Sequence, residues 1–392
     1  MQRPYKRRVR MDFCKRSTMW FALIFLSRIP TMNISRRKLL KLSGGILAAA
    51  PFVRVAQPVQ AHTLSSLALD VTKTPLPFGR AYYRGNIYET ASAKSKVVGK
   101  FKATEVIPLL GETIGVGPTD YNPLWYKTET AEGDPGFVHS ALVQPCDNVI
   151  NKAVTQIDER GVWGEITVPV AASRNAADPK AGQRFPAYYS LLVKIVGVRE
   201  GTDKKAWYEI KEDKWSHTKT NSFISADQVR IVPESEFEAI SPNVPQAKWM
   251  EIDLKQQTTT AYEDDVPVYT ARLASGTRGY DTPIGEHWIY VKIPGQRMFG
   301  GAASDSSSYD LPAIPWVSYF TPIGHSFHGT YWHNDYGRPR SHGCANVLPL
   351  DAKWIFRWSH PVPDYWAEDG FTTVASKAER ETQGTKVIVK AG

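Results

Sequence analysis

Short apolar runs rich in β-branched residues recur along most of the sequence, and each is bounded by Gly, Pro, Asn or Asp. Examples are "SKVVGKF", "LLVKIVGV", "WMEIDL", "VPVYTARL" and "HWIYVKI". Apolar runs and apolar–polar alternation over about four to eight residues are typical of β-strands. Long stretches of helical periodicity are scarce. The chain is therefore predicted to be mainly β.

The first 61 residues differ in composition from the rest of the chain. They contain 13 of the 48 Lys and Arg residues but only one of the 39 acidic residues. Arg36 and Arg37 precede an apolar run that is shorter than the roughly 20 residues needed to span a bilayer. Residues 1–61 are therefore predicted to be a leader with a twin-arginine signal peptide, and the protein is predicted to be exported to the cell envelope, periplasm or cell wall. The alternative is a retained amphipathic anchor.

The charge of the remaining chain excludes one class of partner. Without the leader the sequence carries slightly more acidic than basic residues, so its basic balance belongs to the leader. No nucleic-acid partner is expected. Cys14 leaves with the leader, and Cys146 and Cys344 are predicted not to pair because they lie far apart, in different domains. Cys146 is expected to be a small core residue.

Two segments share an order of features. Residues 80–146 and 160–234 each contain a strand, a turn with small residues, a second strand, a Trp-Tyr strand ("PLWYKTE", "AWYEIKE") and a short closing strand. This order resembles bacterial SH3-like barrels, which are five-stranded, and it predicts two SH3-like modules; the alternative is two unrelated β segments. Residues 235–247 have the proline-bounded composition of a linker. A third domain is predicted at 248–392.

One segment favours a helix. In "PLDAKWIFRWSH" the apolar residues Leu350, Trp354 and Trp358 recur at i, i+4 and i+8, with Lys353 and Arg357 on another face. Asp351 would lie in the first turn, where its charge suits the helix dipole. A short helix is therefore expected just after Cys344.

Histidines cluster around that cysteine. Of nine histidines, four fall within eighteen positions: His325, His328, His333 and His342. Their spacing lacks the helical i, i+4 pattern of many zinc sites, and His342 and Cys344 at i, i+2 would point to opposite faces of a strand. No metal site and no cofactor are predicted, and His325 and His333 are expected not to be catalytic.

A thiol active centre explains the cluster better. A nucleophilic cysteine needs a base to take its proton, and histidine is the usual one. His328 lies in "FHGT", a strand-like segment, and Cys344 lies in the glycine-bearing turn "SHGC". A hairpin through "NDYGRPR" is predicted to fold the first segment back against the second.

The motif His-Gly-Thr followed by Ser-His-Gly-Cys-Ala-Asn resembles the signature of the L,D-transpeptidases, whose catalytic domain is of the YkuD type. The resemblance covers about 248–390 and includes "TPIGEHWIY" and "GTKVIVK". It implies a catalytic β-sandwich with one or two short helices. It also implies a peptidoglycan L,D-transpeptidase that forms a cysteine thioester with a stem tetrapeptide and transfers it to an amine of a neighbouring stem peptide.

The same resemblance leaves the acceptor and the partners open. Water as the acceptor would give an L,D-carboxypeptidase, and a protein lysine would give a transferase that anchors proteins to the wall. A wall-binding protein with an inactive domain is a further alternative. The implied partners are peptidoglycan stem peptides, with wall glycan at the SH3-like modules. Carbapenem-type β-lactams are the implied inhibitors.

Site residues are implied by their positions in the motif. Cys344 matches the nucleophile, His328 the proton acceptor and donor, and the Gly329 carbonyl the group that orients His328. The other implied positions are His342 and Gly343 in the oxyanion region, Ser341 and Asn346 as supporting polar residues, Tyr309 on the loop that covers substrate, and Trp332 in the cleft. Asn346, with Tyr309 and Trp332, is assigned to substrate binding. His342 as a buried structural histidine is the alternative to its oxyanion role.

Overall fold

The computed structural model describes residues 76–211, 220–242, 247–300, 308–367, 371–374 and 377–391. The predicted leader at 1–61, with its twin-arginine pair and Cys14, lies outside them. Within the described ranges no helix is both long and apolar enough to cross a membrane. Strands predominate, which confirms the prediction of a mainly β chain.

The first module begins at Phe78, two residues before the predicted boundary, and is built from eight short strands. These are β1 (Phe78–Ala81), β2 (Gly85–Tyr88), β3 (Val97–Phe101), β4 (Val106–Pro108), β5 (Gly111–Ile114), β6 (Leu124–Glu129), β7 (Pro135–His139) and β8 (Val143–Cys146). They form one sheet of order β4-β1-β8 and another of order β3-β2-β7-β6-β5.

The second module is a single seven-stranded sheet of order β11-β10-β14-β13-β12-β9-β15. Its strands are β9 (Val162–Ile166), β10 (Val170–Arg174), β11 (Gln183–Tyr188), β12 (Leu192–Glu200), β13 (Ala206–Ile210), β14 (Ser222–Ser225) and β15 (Val229–Ile231). Both modules therefore contain more strands than the five of the prediction, and the SH3-like assignment stays a prediction.

The Trp-Tyr strands occupy equivalent places in the two modules. Trp125 and Tyr126 lie in β6, between β5 and β7, and Trp207 and Tyr208 lie in β13, between β14 and β12. All four side chains are buried. A large aromatic pair on an inner strand supplies much of the apolar area that so small a module can bury.

The segment after the second module packs against the third domain. Phe237 ends a short 3-10 helix, Glu234–Phe237, and is buried with its ring 5.3 Å from Trp316 and 4.8 Å from Tyr365. The part of the predicted linker at 243–246 lies outside the described residues. The described part of this connection is anchored by Phe237 in the core of the domain that follows.

The third domain contains two five-stranded sheets. Their orders are β18-β17-β16-β25-β19 and β23-β22-β21-β20-β24. The strands are β16 (Lys248–Asp253), β17 (Thr258–Glu263), β18 (Val266–Arg272), β19 (Gly285–Trp288), β20 (Val291–Gly300), β21 (Tyr309–Tyr319), β22 (Ser326–Gly329), β23 (Ala345–Val347), β24 (Thr372–Thr373) and β25 (Lys386–Lys390).

Apolar side chains of both sheets share one core, which continues into the second module. Ile252 and Val389 contribute from the first sheet, Ile293 and Val317 from the second. The contact between the second module and the third domain is close. A Cβ placed on Gly295 of β20 would lie 2.1 Å from the carbonyl oxygen of Leu192 in β12.

Two helices complete the domain: α1 (Pro349–Trp358) and α2 (Lys377–Gln383). The predicted helix after Cys344 is therefore confirmed, but its predicted apolar face is partly wrong. Leu350 is 72% exposed, whereas the buried face is formed by Ala352, Ile355, Phe356 and Trp358. Leu350 lies in the first turn, before the helix reaches the core.

Two lysines satisfy the carboxyl end of α1. Lys292 of β20 is fully buried and its ammonium donates to the carbonyls of Phe356, at 2.6 Å, and Ser359. Lys248 of β16 donates to the carbonyl of Trp358 at 2.9 Å. The last carbonyls of a helix have no partner within the helix, and a cation there also suits the helix dipole. Each sheet therefore supplies one lysine that fixes the same helix end.

Replacing Lys292 tests this arrangement. Lys292→Met keeps most of the side-chain volume but leaves buried carbonyls without a donor, so the free energy of unfolding should fall by about 2 kcal/mol. Denaturant unfolding would measure this, with the exposed Lys255→Met as the matched control. An unchanged or higher stability of Lys292→Met would show that the free energy cost of burying the ammonium is at least as large as the contribution of its hydrogen bonds.

Candidate active site

Strands β22 and β23 bring the motif together, and they pair in parallel. Phe327 is in register with Ala345, and His328 with Asn346. The predicted hairpin through "NDYGRPR" is therefore wrong, because a hairpin makes an antiparallel pair. Parallel strands need a crossover of about a dozen residues or more, and the connection 330–344 is long enough to provide one.

The pairing places the reactive side chains side by side. Alternate residues of a strand share a face, so Ser326 and His328 point to the same side of the sheet. The register places Cys344 next to Ser326, with Sγ 3.6 Å from the Ser326 hydroxyl and 3.8 Å from the carbonyl oxygen of Gly324. The nucleophile and base predicted from the motif therefore flank one strand junction.

The turn that carries Cys344 depends on Gly343. Its φ is +106°, and a Cβ there would lie 2.4 Å from the ring of His325. The Ser341 hydroxyl donates to the Cys344 carbonyl at 2.6 Å and accepts the Gly343 N–H at 3.1 Å. The Thr282 hydroxyl donates to the Gly343 carbonyl at 2.9 Å. This positive φ and this close approach both require glycine.

A neighbouring backbone segment clamps the turn. The carbonyl of Ser275 accepts the N–H groups of Arg340, at 2.7 Å, and Ser341, at 2.9 Å. Ala274 and Asn346 exchange N–H to carbonyl bonds of 2.9 and 3.1 Å. The nucleophile is thus held from both sides, by β22 and by the chain that follows β18.

His328 is buried and has a defined tautomer. Its Nδ1 lies 3.3 Å from the carbonyl oxygen of Gly329, which can only accept a hydrogen bond. Nδ1 therefore carries the proton, and Nε2 is left as the basic atom. Burial lowers the pKa of His328 to about 4, against a smaller rise caused by that carbonyl. A Cβ on Gly329 would lie 2.7 Å from Pro349, so this position has no room for a side chain.

Cys344 is partly exposed, and it is a thiol at rest. Burial of the sulfur raises the pKa of Cys344, while hydrogen bonds from the hydroxyl and the backbone of Ser326 lower it. The raised pKa of Cys344 and the lowered pKa of His328 both favour the uncharged forms, a thiol and a neutral imidazole, over a thiolate–imidazolium pair. Cys146 is different: it is fully buried, with a pKa raised to about 12 chiefly by burial. Both of these cysteines are free.

His342 is exposed, which excludes the alternative of a buried structural histidine. Its ring lies 4.3 Å from that of Tyr280 and 5.0 Å from that of Tyr309. Burial raises the pKa of Tyr309, and the neighbouring Cys344 raises it further. Residues 301–307, ahead of Tyr309 on the predicted covering loop, lie outside the described residues.

The remaining predicted residues lie on the His328 side. The Trp332 ring is partly buried, 5.7 Å from that of His328. Asn346 is buried and its amide lies 3.0 Å from Nε2 of His333. Burial lowers the pKa of His333 well below its usual value, with Arg340 adding to the effect. Asn346 therefore contacts the neutral His333 beneath the site.

Sequence reasoning missed Ser326, Thr282 and Tyr280. For Ser326 a signal existed, since it precedes His328 by two positions and must share its face of a strand. Thr282 opens the segment "TPIGEHWIY", which belongs to the family resemblance, although no role was assigned to it. Tyr280 lies in the loop just before that segment, and no local pattern marks it. Within the described residues no group of three or more His, Cys, Asp or Glu side chains is arranged to hold a metal ion.

The first module contacts the crossover between the base and the nucleophile. Arg80 is buried, donates to Gln144 at 2.7 Å and to the carbonyl of Tyr331, and lies 3.9 Å from the ring centroid of Tyr188. Tyr331 follows the catalytic strand by two residues. One side chain thus connects the first module, the second module and the crossover.

Further contacts brace the same crossover. The hydroxyl of Tyr121 donates to Asp335 at 3.1 Å, and the amide of Asn334 donates to the Ser140 carbonyl at 3.3 Å. Asp335 also accepts from Arg338 and Arg340. The crossover is held by the first module on one side and by its own ion pairs on the other.

Comparison with known families identifies the class of this domain. Residues 247–389 match the model of the YkuD family, the L,D-transpeptidase catalytic domain. The third domain is therefore an L,D-transpeptidase catalytic domain.

Several solved structures are similar to parts of the chain. An L,D-transpeptidase from Mycobacterium smegmatis is 18% identical over 47% of this chain and 90% of its own, with a TM-score of 0.30. A mutant L,D-transpeptidase from Enterococcus faecium is 20% identical over 37% and 50%, with a TM-score of 0.28. L,D-transpeptidase 3 from Mycobacterium tuberculosis, in complex with a faropenem-derived adduct, is 18% identical over 47% and 78%, with a TM-score of 0.28. No curated protein sequence matches the chain.

The brace by Arg80 gives a first prediction for the site. Arg80→Met removes the donor to the Tyr331 carbonyl, and a hydrogen bond to a charged group contributes about 1.5–3 kcal/mol. Backbone amides of 330–340 should therefore exchange with solvent about tenfold faster or more, as measured by hydrogen–deuterium exchange. The exposed Arg84→Met is the control, and equal exchange in the two variants would show that Arg80 does not hold the crossover.

The buried histidines predict a stability that depends on pH. The folded pKa of His328 is about 4, below the ordinary 6.5, so the unfolded chain binds more protons between these values. Stability should therefore fall as pH drops from about 6.5 to about 4, by about 3 kcal/mol for His328 at 1.36 kcal/mol per unit. Denaturant unfolding at several pH values would measure this. His328→Gln should flatten the dependence and the exposed His342→Gln should not; the same slope in both would refute the assignment.

Proposed function

We propose that this protein is an exported peptidoglycan L,D-transpeptidase that cross-links stem peptides through a thioester on Cys344. The L,D-transpeptidase catalytic domain supports a general role in peptidoglycan cross-linking. The observation that carries the finer proposal is the parallel β22–β23 junction, which brings the Cys344 thiol to 3.6 Å from the hydroxyl of Ser326, two residues before His328 on the same strand.

The first step in this proposal is attack on the donor stem tetrapeptide. The basic Nε2 of His328 takes the proton of the Cys344 thiol as the sulfur attacks the carbonyl carbon of the L-to-D peptide bond. The Gly329 carbonyl holds Nδ1–H and so stabilises the imidazolium that forms. Since both groups are neutral at rest, the thiolate is generated together with bond formation.

The tetrahedral oxyanion then needs N–H donors. The N–H of Gly343 already donates to the hydroxyl of Ser341, so it stabilises the turn and is not free for the oxyanion. We therefore assign the oxyanion to the N–H of Cys344, in the His342–Gly343–Cys344 turn. The clamp by Ser275 and Thr282 keeps that turn rigid, which spares reorganisation when charge develops.

Collapse of the intermediate completes acylation and leads to transfer. The carbon–nitrogen bond breaks, the imidazolium gives its proton to the departing amine, and the acyl group remains as a thioester on sulfur. An amine of a neighbouring stem peptide then attacks the thioester and loses a proton to His328. A new amide bond forms and the Cys344 thiol is restored.

Aromatic rings around the thiol would position the peptides. Tyr309 and Tyr280 flank the exposed ring of His342 on one side of Cys344. Trp332 flanks His328 on the other side. We assign these two sides to the donor and acceptor chains, with Tyr309 covering the acylated cysteine. Export through the twin-arginine leader and contact of the modules with wall glycan belong to the same proposal.

Acylation by a carbapenem tests the nucleophile and the base. Intact-protein mass spectrometry of the protein without its predicted leader, and so without Cys14, should show one adduct on the wild type. It should show none on Cys344→Ala, because the remaining Cys146 is buried. His328→Gln should slow adduct formation by about 100-fold or more, since general-base catalysis is removed. His342→Gln should slow it much less. An adduct on Cys344→Ala, or equal losses in the two histidine variants, would overturn the assignment.

The acceptor is tested with a stem tetrapeptide, with and without a second stem peptide that carries a free amine. Mass spectrometry of the products should show the cross-linked amide. Release of the free tripeptide acid even with the amine present would establish an L,D-carboxypeptidase in its place. If no thioester forms under either condition, the protein is a wall-binding protein with an inactive catalytic domain.

A further inference from the structure

A cavity of about 460 Å³ lies between the second module and the catalytic domain. It is bordered by β12 on one side and by β20 and the start of β21 on the other, with the segment around Trp366 closing one end. Neither Cys344 nor His328 lines it. Its volume is within the range of small-ligand sites, about 300–1,000 Å³.

The walls combine aromatic rings with positive charge. Trp163, Phe185 and Trp366 supply apolar faces, and Lys194 and Arg160 supply cations. Lys211 and Arg297 also line the cavity, whereas no Asp or Glu does among the described residues. Such a cavity favours an anion that also carries an apolar or sugar face.

Lys194 is the most distinctive of these residues. Its ammonium lies 5.1 Å from the ring centroid of Trp163 and 5.9 Å from that of Trp366, and it makes no hydrogen bond or ion pair with any described residue. The pKa of Lys194 is lowered to about 8, chiefly by burial and also by the nearby Lys211 and Arg160. An anion in the cavity would favour the charged form of this lysine.

Trp163 adds to the apolar wall of the cavity. It is 3% exposed, and its indole nitrogen is buried with no hydrogen-bond acceptor among the described residues, so the ring meets the cavity with its carbon atoms. Of these two residues, Lys194 is the one that can meet a ligand oxyanion.

The ion pairs of the arginines distinguish a carboxylate from a phosphate. Arg160 is paired with Asp158 at 2.8 Å, and Arg297 with Asp310 at 2.5 Å. Lys211 also has an interaction of its own. Lys194 is therefore the one of these four cations left to meet a ligand charge directly. A single ammonium matches a singly charged carboxylate, whereas phosphate usually engages several cations or a bidentate arginine.

We propose that this cavity binds a carboxylate-bearing glycopeptide of the cell wall. Its carboxylate contacts Lys194, and its sugar or aliphatic part packs on the rings of Trp163, Trp366 and Phe185. The inference rests on the proposed function for the choice of a wall ligand. The cavity would hold one wall strand while the thiol acts on another, which raises the effective concentration of substrate.

Binding of a disaccharide-tetrapeptide to the full chain tests the proposal. Isothermal titration would use Cys344→Ala protein to prevent turnover. The control ligand is a disaccharide of two N-acetylglucosamine units, which carries no carboxylate. We expect two binding events for the glycopeptide, at the thiol site and at the cavity, and no cavity event for the bare disaccharide.

Variants assign one event to the cavity. Lys194→Met should weaken it at least tenfold, and Lys194→Arg should retain it. The exposed Lys205→Met is the matched control. Equal binding by Lys194→Met and Lys205→Met, or equally tight cavity binding of inorganic phosphate, would overturn the proposal. If Cys344 cannot be acylated, the proposed function is refuted. The binding test at the cavity can still be interpreted, because it uses Cys344→Ala protein and does not depend on acylation.

Discussion

The parallel pairing of β22 with β23 is the constraint on which the site depends. It places Ser326 next to Cys344 and His328 next to Asn346 on one face of the sheet. Parallel strands cannot be joined by a tight turn, so the chain must leave the sheet between the base and the nucleophile and return to it. The architecture of the molecule follows from this, because the excursion at 330–344 has to be stabilised from outside the sheet.

The other domains supply that support. Arg80 and Tyr121 of the first module bind the excursion at Tyr331 and Asp335, and the second module shares its core with the catalytic sheets. The closeness of Gly295 to Leu192 shows how little space separates the two. The modules are therefore structural parts of the catalytic unit, whatever they also bind. This arrangement also creates the cavity around Lys194.

The sequence was sufficient for features that depend on local patterns. The mainly β character, the helix after Cys344 and the family of the third domain follow from periodicity and from a specific motif. The direction of pairing between β22 and β23 could not be predicted. Pro and Gly indicate a turn, but they do not determine whether the strand that follows pairs in parallel or antiparallel. Leu350 fits the helical period but lies before the helix reaches the core, and the contact of Arg80 with Tyr331 joins residues 251 positions apart.

The common core has a consequence for dissecting the molecule. A fragment cut at the connection before Lys248 would lose Phe237, which packs between Trp316 and Tyr365, and would expose the aromatic surface beneath it. Such freshly uncovered apolar area promotes aggregation. Loss of turnover in such a fragment would therefore result from poor solubility and from a loosened excursion at 330–344. It would not test whether the modules recognise the wall.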